Sequence, residues 1–199
     1  MTRKELKQKA LKTFKANYWL HVGMNFLYAL IIGALSATFI GTLIIGGPIS
    51  VGMMEFYKRA DKNDNPSFEN IGYGFNNFTN AMVGFILSTI FIMLWSLLLV
   101  IPGIIKSYAY AMTFYLINKD SSLSGQDAIK LSQKMMKGYK WKLFVLKLSF
   151  IGWILLDMLT CGILGVFYVT PYMQQTTYNF YDMVYEAYNG NAQEATLTE

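Results

Sequence analysis

Long apolar runs alternate with short basic segments along this chain, and their spacing predicts its architecture. Residues 16–54 contain no Asp, Glu, Lys or Arg, a run of 39. Residues 70–105 form a second run, of 36, and residues 148–181 a third, of 34, interrupted only by Asp157. About 20 apolar residues carry one helix across the hydrocarbon core of a bilayer. Each run is therefore too long for one crossing and close to the length of two. Lys and Arg stand on both sides of the first two runs and before the third, after which residues 182–199 hold none, and basic residues are retained on the cytoplasmic side. A run with both flanks inside crosses an even number of times. Backbone groups in lipid must be satisfied internally, which leaves helices or a closed barrel. The stretch 86–101 does not alternate apolar and polar residues as barrel strands do. The pattern predicts an all-α polytopic membrane protein, with about six transmembrane helices as three helical hairpins, plus short amphipathic cytoplasmic helices.

The boundaries follow from the same pattern. Residues 1–17 form a basic amphipathic N-terminal segment, with Leu6, Ala10, Leu11 and Phe14 at helical spacing between lysines. It is either a helix on the inner leaflet or a solvated tail that sets orientation. A single membrane domain covers 18–188, with hairpins at about 18–58, 75–118 and 141–188. Cytoplasmic linkers occupy 59–74 and 119–140, and 189–199 is a disordered tail. Ala34-Leu35-Ser36 resembles a small-residue cleavage site. The apolar run continues through Ile45 without a polar break, so the first span is read as retained.

The hairpins form a weak internal repeat. Each opens on a polar, aromatic-rich approach and closes on a Phe-Tyr pair, Phe56-Tyr57, Phe114-Tyr115 and Phe180-Tyr181. Gly46-Gly47-Pro48 is either the outer turn of the first hairpin or a kink inside a return helix starting near Thr38. The kink gives more even crossings. Within the second linker, Ser124 and Asp127 resemble a capping box. The following helix has Lys130, Lys134 and Lys137 on one face and Ala128, Leu131 and Met135 on another. It suits the inner leaflet, or docks on the protein's own loops. Ala29, Gly33, Ala37 and Gly41 recur every four residues, a spacing that lets helices approach closely within one chain or between two.

Composition agrees with this picture. Of 199 residues, 54% are hydrophobic and 15% charged, against about 25% charged in a soluble domain. The net charge of +5 does not point to nucleic acid. Fifteen of the 17 basic residues fall in residues 3–15, 58–62 and 119–142, beside the apolar runs. The partner they indicate is the anionic inner leaflet of a bilayer. Cys161 is the only cysteine, so no intramolecular disulfide forms.

The candidate functional residues are the polar groups inside the runs: Asp157, Gln174, Gln175 and Lys106. Asp157 lies about 22 Å beyond Lys142 at 1.5 Å per residue, deep in the membrane. There an ionisable group binds a cation, relays a proton, pairs with Lys106, or ties helices together through neighbours such as Thr160, Gln174 or Gln175. Lys106 can snorkel to the outer interface, and Lys147 inward. Gln174, Gln175, Thr176, Thr177 and Asn179 make the last helix polar, for hydrogen bonds across a bundle or for a polar path. Glu55 is accounted for by Lys58 and Arg59 at i+3 and i+4. His21 is the only histidine, so a histidine metal motif or a Ser-His-Asp triad could use only that residue. No catalytic residue, metal site or cofactor is expected.

Residues 95–108, WSLLLVIPGIIKSY, resemble a signature of a bacterial membrane-protein family known only as domain of unknown function 975. Met112-Thr113-Phe114-Tyr115, the stretch 132–142, residues 148–153 and Thr170-Pro171-Tyr172-Met173 extend the likeness. It covers most of 1–188 and is most specific in 95–173. The resemblance implies an integral membrane protein, typically of Gram-positive bacteria, and brings no established activity, cofactor or catalytic residues. The expectation is a non-enzymatic protein of the bacterial cytoplasmic membrane with both termini inside. Its role would be accessory, in envelope homeostasis or immunity to membrane-active peptides, alone, as a homo-oligomer or with a membrane protein partner. The alternative is a small transporter or channel component that uses Asp157.

Overall fold

A computed structural model describes residues 1–36, 39–98 and 100–197, and these are helical or in short turns, with no strand among them. Chain order is α1 (Arg3–Ala16), α2 (Tyr18–Ser36), α3 (Phe39–Lys62), a 3-10 helix (Phe68–Asn77), α4 (Phe78–Leu98), α5 (Val100–Ala109) and α6 (Thr113–Lys119). Then come α7 (Gly125–Met135), α8 (Lys140–Leu148), α9 (Ile151–Leu159), a π-helical turn (Gly165–Val169) and α10 (Thr170–Leu197). The all-helical class is as expected. Two stretches are long and apolar enough for an unbroken crossing, Tyr18–Ser36 and Phe68–Leu97. α3 is an unbroken helix of 24 residues that ends in charged turns, and two other apolar segments are divided. Residues 100–109 form a helix of only ten residues, and the third run breaks at Ser149-Phe150 into two helices of nine.

The six-crossing topology expected from sequence is not confirmed by these two spans; among neighbours in the chain, α2 lies against α3, α4 against α5, and α9 against the π turn. Gly46, Gly47 and Pro48 lie inside α3, not in its outer turn. Thr38 and Ala37 lie outside the described residues. Gly33 has no neighbour within 4 Å, so that part of the small-residue stripe makes no seam within the chain. α10 is helical to Leu197, through the stretch read from sequence as a tail.

Short helices that sequence could place on a lipid surface dock instead on the protein. Thr2 and Glu5 form a true capping box at the start of α1, satisfying two of the free N–H groups of its first turn. The apolar face of α1, Leu6, Ala10 and Phe14, is buried, and α1 packs along α10. α7 starts at an Ser124 cap whose hydroxyl accepts from Asp127 N (3.1 Å). Its buried residues Ala128, Ile129, Ser132 and Met135 face α4 and α6, while Lys130, Lys134 and Lys137 stay exposed.

The repeat-related Phe-Tyr pairs converge. Phe56, Tyr57, Tyr115, Phe180 and Tyr181 share one buried cluster, with Phe114 packed on it. The Tyr115 ring is 5.6 Å from Tyr178 and 6.0 Å from Tyr181. Away from this cluster the distribution of polarity is inverted. No residue of α9 is buried, and Leu97 and Leu159 are 84% and 80% exposed. His21, Asn25, Glu55, Gln175, Thr176 and Asn179 are all buried.

Candidate functional site: a buried polar network and a cavity between the hairpins

The second, third and tenth helices meet through one chain of side-chain hydrogen bonds. Asn25 lies one turn after His21, and its amide donates to the His21 carbonyl (2.8 Å). The Asn25 side-chain oxygen accepts from the Tyr57 hydroxyl of α3 (2.9 Å). His21 Nδ1 lies 3.1 Å from the Asn17 carbonyl, and Nε2 lies 3.1 Å from Gln175 Oε1 of α10. Gln175 in turn bonds Asn179, one turn on (3.2 Å). Because a carbonyl can only accept, Nδ1 carries a proton. A neutral ring then leaves Nε2 as acceptor, which requires Gln175 to present its amide nitrogen there and its oxygen to Asn179. The Asn179 amide, so turned, also reaches Asp61 Oδ1 (3.2 Å). A doubly protonated ring takes the opposite arrangement. Phe14 and Phe56 pack edge-on against the imidazole, at 5.7 and 5.0 Å between ring centres.

At the charged end of the bundle, three carboxylates tie neighbouring helices together. Glu55 pairs with Lys58 and with Arg59 Nε (2.8 Å), and it accepts from Asn118 of α6 (3.0 Å). Asp61 pairs with Lys9 of α1 (2.7 Å). Asp182 accepts from the Tyr115 hydroxyl (2.6 Å) and from Lys119 (3.0 Å). Its hydrogen bond to Glu55 holds the Arg59 guanidinium above its ordinary value. Lys7 donates to the Ser149 carbonyl (3.0 Å) and lies 4.0 Å over the Phe150 ring, and burial pushes its amino group down.

The four residues singled out from sequence are distributed over three places. Asp157 serves the tip of the third hairpin: its Oδ1 accepts from Gly165 N, and its carbonyl accepts from Thr160 and Gly162. Thr160 Oγ1 accepts from Leu164 N (3.2 Å). Together these two side chains satisfy N–H groups at the start of the return segment, as helix caps do. Lys106 lies 4.7 Å over the Trp95 ring and makes no ion pair with Asp157. Gln175 belongs to the His21 network. Gln174 faces a cavity of about 360 Å³ that residues of all three hairpins line.

Sequence reasoning missed His21 as the centre of a network and Glu55 as a junction between hairpins. An aromatic-flanked lone histidine is weak evidence, and the i+3 and i+4 cations made Glu55 look already satisfied. Asn118, which supplies the contact between α3 and α6, has no pattern around it that points to Glu55. Among the described residues no group of three or more His, Cys, Asp or Glu could hold a metal ion.

Fold and site together define an all-helical protein with, among the described residues, two helices apolar enough to cross a membrane and a buried network of polar side chains. Residues 97–188, from the end of α4 into α10, match the family described as Protein of unknown function (DUF975). The match overlaps the segment 95–173 that carries the resemblance read from the sequence. Comparison with curated proteins and with solved structures gives no match.

Proposed function

We propose that this chain is a multi-pass protein of the bacterial cytoplasmic membrane, with six crossings and both termini inside, in a non-enzymatic accessory or binding role. Inverted burial is the observation that carries the reading. An apolar helix with every flank exposed, set beside a buried His-Gln-Asn-Tyr network, is stable where hydrocarbon replaces water. Trp19 and Trp141, both more than 70% exposed, suit the headgroup level at the entry of the first and third hairpins. The exposed lysines of α7 suit the anionic inner leaflet. A second copy or another membrane protein is the partner class. Envelope homeostasis or protection against membrane-active peptides is the role such a protein would serve.

The bonds made by the polar side chains support a binding role over an enzymatic one. His21, Gln175 and Asn25 spend their hydrogen-bonding groups on one another, on Tyr57 and on backbone, and among the described residues no Ser, Thr or Cys side chain hydrogen-bonds His21. The carboxylate of Asp157 is engaged by backbone, which places the transporter reading second.

Labelling tests the topology. In a Cys161→Ser background, Asn63→Cys and Ser122→Cys should resist a membrane-impermeant maleimide in intact cells and react in inside-out vesicles. Opposite behaviour of the two linkers would overturn the three-hairpin arrangement. A deletion strain with unchanged sensitivity to membrane-active peptides would remove the protective role.

A further inference from the structure

The cavity at Gln174 is lined by both polar and apolar side chains, and the polar ones include unused donors. The Lys147 amino group lines it and touches the Tyr108 ring at 5.5 Å. No carboxylate of the described residues pairs with it. The Gln174 amide and the Tyr181 hydroxyl also line the cavity, and neither bonds another described side chain or carbonyl. Ser50 and Thr177 present hydroxyl oxygens whose protons are already given to Gly46 O (2.7 Å) and Met173 O (2.8 Å). Met53, Phe85, Phe114 and Met173 make the apolar wall.

Lys147 is exposed, and with no described carboxylate to balance it its charge attracts an anion to the cavity it lines. An ammonium, an amide and a phenol belong to residues that line one cavity, and no Asp or Glu of the described residues lines it. The apolar lining offers only carbon and sulfur. We infer that this cavity binds the anionic head of an amphiphile, with the head on Lys147, Gln174 and Tyr181 and its apolar part along the Met53–Phe114 wall. A fatty acid carboxylate and the phosphate of an anionic phospholipid share this chemistry. Of the three basic residues nearest the third hairpin's start, Lys140 and Lys142 precede the cavity and only Lys147 lines it. The inference deepens the binding role proposed above and rests on it.

The test uses the full chain, delipidated in an uncharged detergent, with tritiated oleate and tritiated phosphatidylglycerol as separate probes and oleyl alcohol and phosphatidylcholine as neutral counterparts. Saturable binding of at least one anionic probe, near one per chain, is expected; the arm that binds identifies the head group. Lys147→Gln should weaken it about tenfold, the size of one hydrogen-bonded charge, Lys147→Arg should retain it, and Lys142→Gln should change nothing. Should Lys147→Gln not fold, Gln174→Met, which keeps the volume and removes the amide, must weaken binding while Lys147→Arg keeps it. Equal binding by the neutral counterparts, no binding of either anion, or wild-type affinity in both Lys147→Gln and Gln174→Met overturns the inference. Detergent binding does not depend on sidedness, so its failure leaves the topology standing, and a failed topology leaves the binding result standing.

Discussion

His21 Nε2 lies 3.1 Å from Gln175 Oε1, and this pair joins two helices separated by 154 residues of chain. Both side chains are fully buried. Truncating either leaves a buried polar partner unsatisfied, at a cost of about 1–3 kcal/mol. His21→Ala and Gln175→Ala should each lower the melting temperature of the detergent-solubilised protein. The double variant should lose clearly less than the sum, since the two act as one contact. Additive losses would show that the pair is not coupled.

Glu55 is a second junction. Replacing it with Ala strands the Asn118 amide and frees Lys58 and Arg59, both partly exposed, so solvent screening moderates the loss to about 1–3 kcal/mol. Glu55→Gln keeps an acceptor for Asn118 and should lose less. The ordering of the melting temperatures, wild type above Gln above Ala, checks this.

α3 touches the 3-10 helix backbone to backbone. A Cβ at Gly52 would fall inside contact distance of the Ile71 carbonyl, and one at Gly74 inside that of Pro48. Neither obstacle is a flexible side-chain end, so the helices must separate. Gly52→Ala and Gly74→Ala should each cost about 1–3 kcal/mol as overpacking does. Gly33→Ala, with open space around it, should be neutral or slightly stabilising. Yield and melting temperature read both outcomes.

Asp157 separates a cap from a transport group. A hydrogen-bond acceptor at its position suffices for the Gly165 N–H, so Asp157→Asn should preserve stability while Asp157→Ala loses about 1 kcal/mol. A proton- or cation-coupled flux in proteoliposomes that Asp157→Asn abolishes would reverse this assignment and restore the transporter reading.

The first turn of α1 has a pH signature. Glu5 is held below the ordinary carboxylate range, first by the Thr2 backbone N–H and also by its hydroxyl. A carboxyl lowered on folding stabilises above its unfolded value and loses that contribution as pH falls through the folded one. Amide exchange at residues 3–6, corrected for intrinsic rate, should accelerate at acid pH in the wild type. Thr2→Ala should be fast throughout and less sensitive to pH.

Apolar run length and the lack of strand-like alternation determined the helical class. Both depend on local properties: the length of a greasy segment, the positions of breaks and caps, the charge at its edges. Ser124 as a cap was legible for the same reason, since capping partners lie three residues apart. The burial of α1 and α7 was not legible. An amphipathic helix carries the same stripe whether lipid or protein covers it, and only the position of α10 or α4 chooses. The meeting of His21 with Gln175, of Glu55 with Asn118, and of Lys147 with Gln174 was likewise decided by tertiary structure. Hydrogen bonds and cavities depend on which helix faces fall together within about 3 Å, and no periodicity in a single run encodes its neighbour's rotation.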